Sequence, residues 1–150
     1  MSRIVIINGS SDPDGYWANE VRANTLLLLT HRAGAKQLAL TWGRQEPIYW
    51  YRTGGIGFFG PLTLLKWDRE KDFFRLHFVN IDKPARPLSG RNAAAGERVH
   101  RELKKMRHFI ICQGAEVDYV NMEHPTPSAK HPSPVEVEDA LREAGVPSAE

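Results

Sequence analysis

Four aromatic rings, two guanidiniums, an amide and a carboxylate fall within twelve residues between Thr41 and Arg52, in the run Trp42-Gly43-Arg44-Gln45-Glu46-Pro47-Ile48-Tyr49-Trp50-Tyr51-Arg52. That mixture suits recognition better than catalysis. Arg and Gln carry paired donors and acceptors that match base edges in a DNA groove, Glu accepts from cytosine, and Tyr and Trp offer rigid surfaces beside sugars and bases. A second aromatic stretch follows the turn signal Asp12-Pro13-Asp14-Gly15, where Tyr16 and Trp17 stand on what reads as an exposed loop.

Other chemistry is thinly represented. The six histidines show no pair at the i, i+4 ligand spacing on an expected helix, and the segment holding His124 and His131 is irregular and proline-rich. No nucleophile elbow, phosphate-binding P-loop or dinucleotide fingerprint occurs, so no catalytic residue, metal ligand or cofactor is assigned. Carboxylates beside a lysine, the pattern of metal-dependent nucleases, occur only in Asp68-Arg69-Glu70-Lys71-Asp72, which reads as a solvated hairpin tip. The single Cys112 sits in the apolar run 109–112 and reads as buried, which fits a reducing, cytoplasmic setting. The longest apolar run, Leu26–Leu29, is far short of a membrane span, and no membrane partner is expected.

A net charge of +2 conceals an asymmetry. Residues 132–150 hold five acids against one arginine, so residues 1–131 carry an excess of +6. A basic body is compatible with a polyanionic partner.

The elements that must position these groups can be read from local pattern. Arg3–Ile7 is a β-branched strand ending in a polar loop, and Asn24–Thr30 and Lys36–Trp42 flank Gly34 as an expected antiparallel hairpin, a helix over 18–32 being the rival. Pro47–Arg52 reads as a strand on which Tyr49 and Tyr51 share one face and Trp50 and Arg52 the other. Leu62–Trp67 and Phe73–Val79 form the clearest hairpin, closed by the charged turn 68–72. Residues 91–108 read as a helix with Ala95, Val99, Leu103 and Met106 in one apolar stripe and a basic outer face. Strands are expected at 109–112 and 117–122, and a short acidic helix at 134–144, a linker or peripheral cap. At 150 residues this is one domain over 1–123, followed by a proline-rich segment and helix over 124–150. The sum is a mostly antiparallel barrel with few helices.

Two resemblances sharpen the expectation. Trp42-Gly43-Arg44-x-x-Pro47, Thr53-Gly54 and Leu62-Thr63-Leu64-Leu65, with an aspartate-bounded hairpin, resemble the amino-terminal effector domain of the EcoRII restriction endonuclease. That domain is a DNA-binding pseudobarrel akin to those of plant transcription factors, whose two arm loops embrace the major groove. The resemblance covers about Leu40 to Ile81 and implies an α+β, mostly β fold, an antiparallel open pseudobarrel with one or two helices. It further implies double-stranded DNA as partner and a nuclease domain on the same or another chain. The charged arm expected ahead of Trp42 is missing, and two registers remain for the second arm, one at Arg44–Glu46 and one at Thr53–Gly60. Base contacts are expected from Ser11, Asp12, Tyr16, Asn19 and Arg22 on the first arm. On the second they are expected from Arg44, Gln45, Glu46 and Arg52. Lys36, Arg101, Lys104 and Lys105 are expected to hold phosphates. The other resemblance, of Ile4–Ser11 to the first strand and phosphate loop of flavodoxin-like flavin reductases, keeps a small flavin- or metal-dependent enzyme as an alternative. A protein-interaction domain is a third reading.

Overall fold

A computed structural model describes residues 3–9, 17–52, 57–85, 101, 109–113, 116–119 and 132–149. The chain is α+β and mostly β. Among the described residues nine strands and two helices run β1 (Arg3–Asn8), β2 (Trp17–Arg22), β3 (Thr25–His31), α1 (Arg32–Gly43), β4 (Ile48–Arg52), β5 (Gly57–Phe59), β6 (Thr63–Glu70), β7 (Phe73–Val79), β8 (Phe109–Gln113), β9 (Glu116–Tyr119) and α2 (Pro134–Glu143). They make two sheets, ordered β5-β4-β1-β8-β9 and β2-β3-β7-β6, and the described strands close no barrel.

Every neighbouring strand pair is antiparallel except β1 and β4, which run parallel with Val5 opposite Ile48 and Ile7 opposite Trp50. A parallel pair needs a long crossover, and here β2, β3 and α1 supply it. β1 is apolar at four successive positions because both its faces are covered. Val5 and Ile7 enter the main core, while Ile6 joins Tyr49 and Tyr51 in a small cluster on the opposite face. The alternation expected for β4 holds, with Ile48 and Trp50 facing the main core and Tyr49 and Tyr51 the smaller one.

The second sheet buries one face. Leu26, Leu28 and Thr30 of β3 stand opposite Phe78, Leu76 and Phe74 of β7, all buried. The β6–β7 hairpin forms as the sequence indicates, but β6 bulges between Leu64 and Lys66. That extra residue leaves Leu65 exposed and turns Trp67 inward opposite Leu76. On the outer face Asp68 bonds Arg75 at 3.0 Å and His77 at 2.7 Å, so this carboxylate of the charged hairpin end is already paired.

The region 32–43 overturns the expected hairpin, and equally the rival helix over 18–32. It is the helix α1, while residues 17–22 and 25–31, which the rival helix would span, form β2 and β3. Leu38, Leu40 and Trp42 mimic strand alternation, but Gly34, Ala35, Leu38, Ala39 and Thr41 are the buried set, the spacing of one helical face. His31 caps it, its Nδ1 accepting from Gly34 N–H at 3.3 Å. The stretch Thr41–Arg52 is therefore the end of a helix, a turn and a strand, not two strands joined by a turn.

The acidic helix α2 is capped by Ser133, whose hydroxyl accepts from Glu136 N–H, with Pro134 at its first turn. It ends in a Schellman motif: Gly145, at φ +79, donates to Arg142 O and Val146 to Leu141 O. Val137, Ala140, Leu141 and Val146 are buried in the main core, so the acidic segment is sealed to the body along α1. Trp67 fastens the chain beyond α2. Its indole N–H donates to Val146 O at 3.2 Å, its backbone N–H to Pro147 O at 3.1 Å, and its carbonyl accepts from Ala149 N–H at 2.7 Å. The expected helix 91–108 lies outside the described residues except Arg101, which is helical and exposed.

Burial pushes the Tyr49 and Tyr51 phenols up from the ordinary 10.0. A group whose folded pKa is raised stabilises the fold below its unfolded pKa and ceases to do so as pH rises through the folded one. Unfolding free energy is thus expected to fall above about pH 10, and less steeply in Tyr49→Phe/Tyr51→Phe. Urea unfolding at about pH 8 and about pH 11 checks this; an equal loss in both proteins would refute it.

Candidate functional site

Three backbone hydrogen bonds shape the turn after α1. Arg44 N–H donates to Leu40 O, Gln45 N–H to Trp42 O and Glu46 N–H to Thr41 O, at 3.0, 3.0 and 3.1 Å. Gln45 adopts φ +60, a conformation uncommon outside glycine and asparagine. The Arg44 side chain is 56% exposed and Gln45 is exposed, whereas the Glu46 side chain is 14% exposed and lies 3.9 Å from the Arg44 guanidinium.

Beside the turn opens a cleft of about 670 Å³. The ends of the two helices meet at one side, where Gly43 approaches Ala144 so closely that an added Cβ would stand 3.4 Å from the alanine methyl. Trp42, Gln45, Glu46 and Pro47 form the wall from the α1 turn, and Pro61, Leu62 and Thr63 the wall leading into β6. Asn80 and Lys83, just past β7, complete the rim. Asn80 is at φ +72 and its amide N–H donates to the Thr63 hydroxyl at 3.1 Å. Gly60 lets the β5–β6 connection pass against β4: it is at φ +130, its N–H donates to Lys83 O and the nearby Leu62 N–H donates to Ile48 O, both at 2.8 Å.

Of the residues singled out from sequence, the fold brings Arg44, Gln45 and Glu46 together. Arg52 is at the other end of β4, about 13 Å from Ile48 at 3.3 Å per residue. Its guanidinium lies 5.0 Å from the Trp50 ring centroid and 4.4 Å from that of Phe59, and 3.6 Å from Asp82. Asn19, on β2, donates from its amide to Asn8 O at 2.8 Å. Arg22 is exposed beside Glu20, and Lys36 is 3.5 Å from Glu136 of α2. Ser11, Asp12, Tyr16, Lys104 and Lys105 lie outside the described residues, as do Thr53–Ile56 of the second arm register. The first register places Trp42 and Gly43 on a strand; here they end α1, and the turn Arg44–Glu46 follows a helix instead.

The walls contributed by Leu62, Thr63, Asn80 and Lys83 were not singled out from sequence. Asn80, placed directly after the apolar alternation of β7, is the only local hint. Among the described residues no group of three or more His, Cys, Asp or Glu is placed to hold a metal. No helix among them is long and apolar enough to cross a membrane.

These features define a mostly antiparallel α+β protein with a polar turn and an adjoining cleft at the ends of its helices. Comparison of the chain with family models, curated proteins and solved structures finds no match.

Proposed function

We propose that the chain is a sequence-specific double-stranded DNA-binding domain that reads base edges through the turn Arg44–Glu46. The observation carrying this reading is the turn itself, an exposed Arg and Gln and a partly covered Glu on a backbone fixed by three hydrogen bonds. Recognition groups held on a rigid element lose little freedom on binding. Arg bonds guanine, Gln adenine and Glu cytosine in the major groove. The assignment to a type II restriction endonuclease, as its recognition part beside a nuclease domain, rests on the sequence resemblance alone. Lys36 and Arg52 take lesser parts in this reading, because Glu136 and the Asp82–Trp50–Phe59 group already hold them.

Selection of bound duplexes from a random pool at two salt concentrations tests it. Arg44→Ala is expected to relax preference at one position and to cost about 1–3 kcal/mol on the preferred site. Lys105→Ala is expected to weaken all duplexes alike and to lower the salt slope by about 1. Equal retention of every duplex by the parent chain would remove the proposal.

A further inference from the structure

β2 is the last described strand of its sheet, at the end opposite β6. Ala23 and Asn24 alone join it to β3, and the register sets Arg22 opposite Thr25, Val21 opposite Leu26 and Glu20 opposite Leu27. In such a hairpin the pair that closes the turn exchanges hydrogen bonds and the next pair does not. Arg22 and Glu20 therefore bond β3, while the backbone N–H and C=O of Val21 point away from it, to the open side of the strand. The side chains alternate as well. Val21 shares the face of buried Leu26 yet is 43% exposed. Glu20 and Arg22 share the outer face, with 63% and 84% of their side chains in solvent. The edge thus presents an apolar residue with outward hydrogen-bonding groups, flanked by an acid and a base.

We infer that two copies of the chain pair through β2, antiparallel about a two-fold axis at Val21. In a self-complementary contact of this kind each residue meets its counterpart reciprocally. Val21 faces Val21 of the other copy, the two exchange a pair of N–H···O bonds, and Glu20 of each copy faces Arg22 of the other. Charge selects this register. An axis at Glu20 would set the two carboxylates against each other, which is destabilising, and one at Asn19 would set Glu20 against Ala18 with no charge gained. Within one chain Glu20 and Arg22 are 3.5 Å apart, so the two copies together form a ring of four charges alternating in sign. Charged side chains commonly keep edge strands apart; opposite signs two residues apart attract in this register instead. Ala23, at φ +48, turns the chain out of the strand, so the shared ladder stops at Arg22 and the contact is small. Small contacts give transient complexes, and this dimer dissociates on dilution and weakens with salt.

Pairing is independent of the DNA reading, and its test uses the whole chain without DNA. Sedimentation equilibrium over a dilution series is expected to show monomer and dimer exchanging with concentration. Glu20→Arg and Arg22→Glu are each expected to weaken the dimer about tenfold or more, because either reversal turns both cross-strand attractions into repulsions. The double variant Glu20→Arg/Arg22→Glu restores both attractions and is expected to return the dissociation constant to within about threefold of the parent's. An equimolar mixture of the two single variants is expected to dimerise more tightly than either alone, since the basic edge of one meets the acidic edge of the other. Both side chains are exposed, so the reversals leave the core untouched. A parent chain that stays monomeric at millimolar concentration, a parent dimer indifferent to either single reversal, a double variant as weak as the singles, or a mixture no tighter than its components would each overturn the inference.

Discussion

Trp67→Ala is expected to lower the unfolding free energy by about 3–5 kcal/mol, the range for emptying a buried aromatic site. Trp67 is 5% exposed, belongs to the main core and packs its ring 5.9 Å from that of Phe74. Its indole N–H is also the donor to Val146 O, so truncation both opens a cavity and strips a buried carbonyl of its partner. Neighbouring residues are held in a sheet and a helix and can collapse only partly into the space. Against a typical total of about 5–15 kcal/mol, such a loss leaves a substantial unfolded fraction on warming. Trp67→Phe should recover most of the packing and lose mainly the hydrogen bond. Urea titration of the three proteins gives the comparison; a Trp67→Ala midpoint indistinguishable from that of the parent would show that this ring does not anchor the C-terminal residues.

Gly60→Ala is expected to cost roughly 2–6 kcal/mol, from backbone strain of about 1–3 kcal/mol and overpacking of similar size. A Cβ at this position would stand 2.9 Å from Leu62 N, 3.1 Å from Tyr49 Cδ1 and 3.2 Å from Ile48 O. Two of these neighbours are backbone atoms in mutual hydrogen bonding, so no flexible side chain can yield. Gly57 is the internal control: it too has positive φ, at +114, but an added Cβ there meets nothing within 4 Å. Gly57→Ala should therefore show strain alone and unfold closer to the parent. The effect also reaches the cleft, because relief of the clash displaces Pro61 and Leu62 from its wall and Lys83 from its rim. Equal midpoints for the two alanine variants would refute the steric argument.

Local pattern carried β1, β4, the β6–β7 hairpin and the acidic helix well, but not β2, which read as loop, nor the short β5. The β-branched run at 3–7, the alternation of Phe74, Leu76 and Phe78, and Ser133-Pro134 before Glu136 each contain their own instructions. α1 did not, because Leu38, Leu40 and Trp42 support a strand while Ala35, Leu38 and Ala39 support a helix. The sheet and α2 on either side decide between these periods, and neither is adjacent in sequence. The β1–β4 parallel pair was equally hidden, since parallel register is set by a crossover and not by a turn. At the site, Arg44, Gln45 and Glu46 stood out as a polar interruption between apolar segments. The opposite walls come from residues 61–63, 80–83 and 144, brought together only by the completed fold.

The residues beyond α2 do more than fill the core beside Trp67. β6 is the last strand of its sheet, and such a strand offers unpaired N–H and C=O groups to any extended chain that meets it. Ser148 bridges Trp67 in parallel, with Pro147 and Ala149 taking the hydrogen bonds on either side. The molecule thus occupies part of its own open edge with its own backbone. A proteolytic nick after Val146 would leave the helix in place but uncover a short template for intermolecular strand addition, turning a folded chain into a seed for assembly.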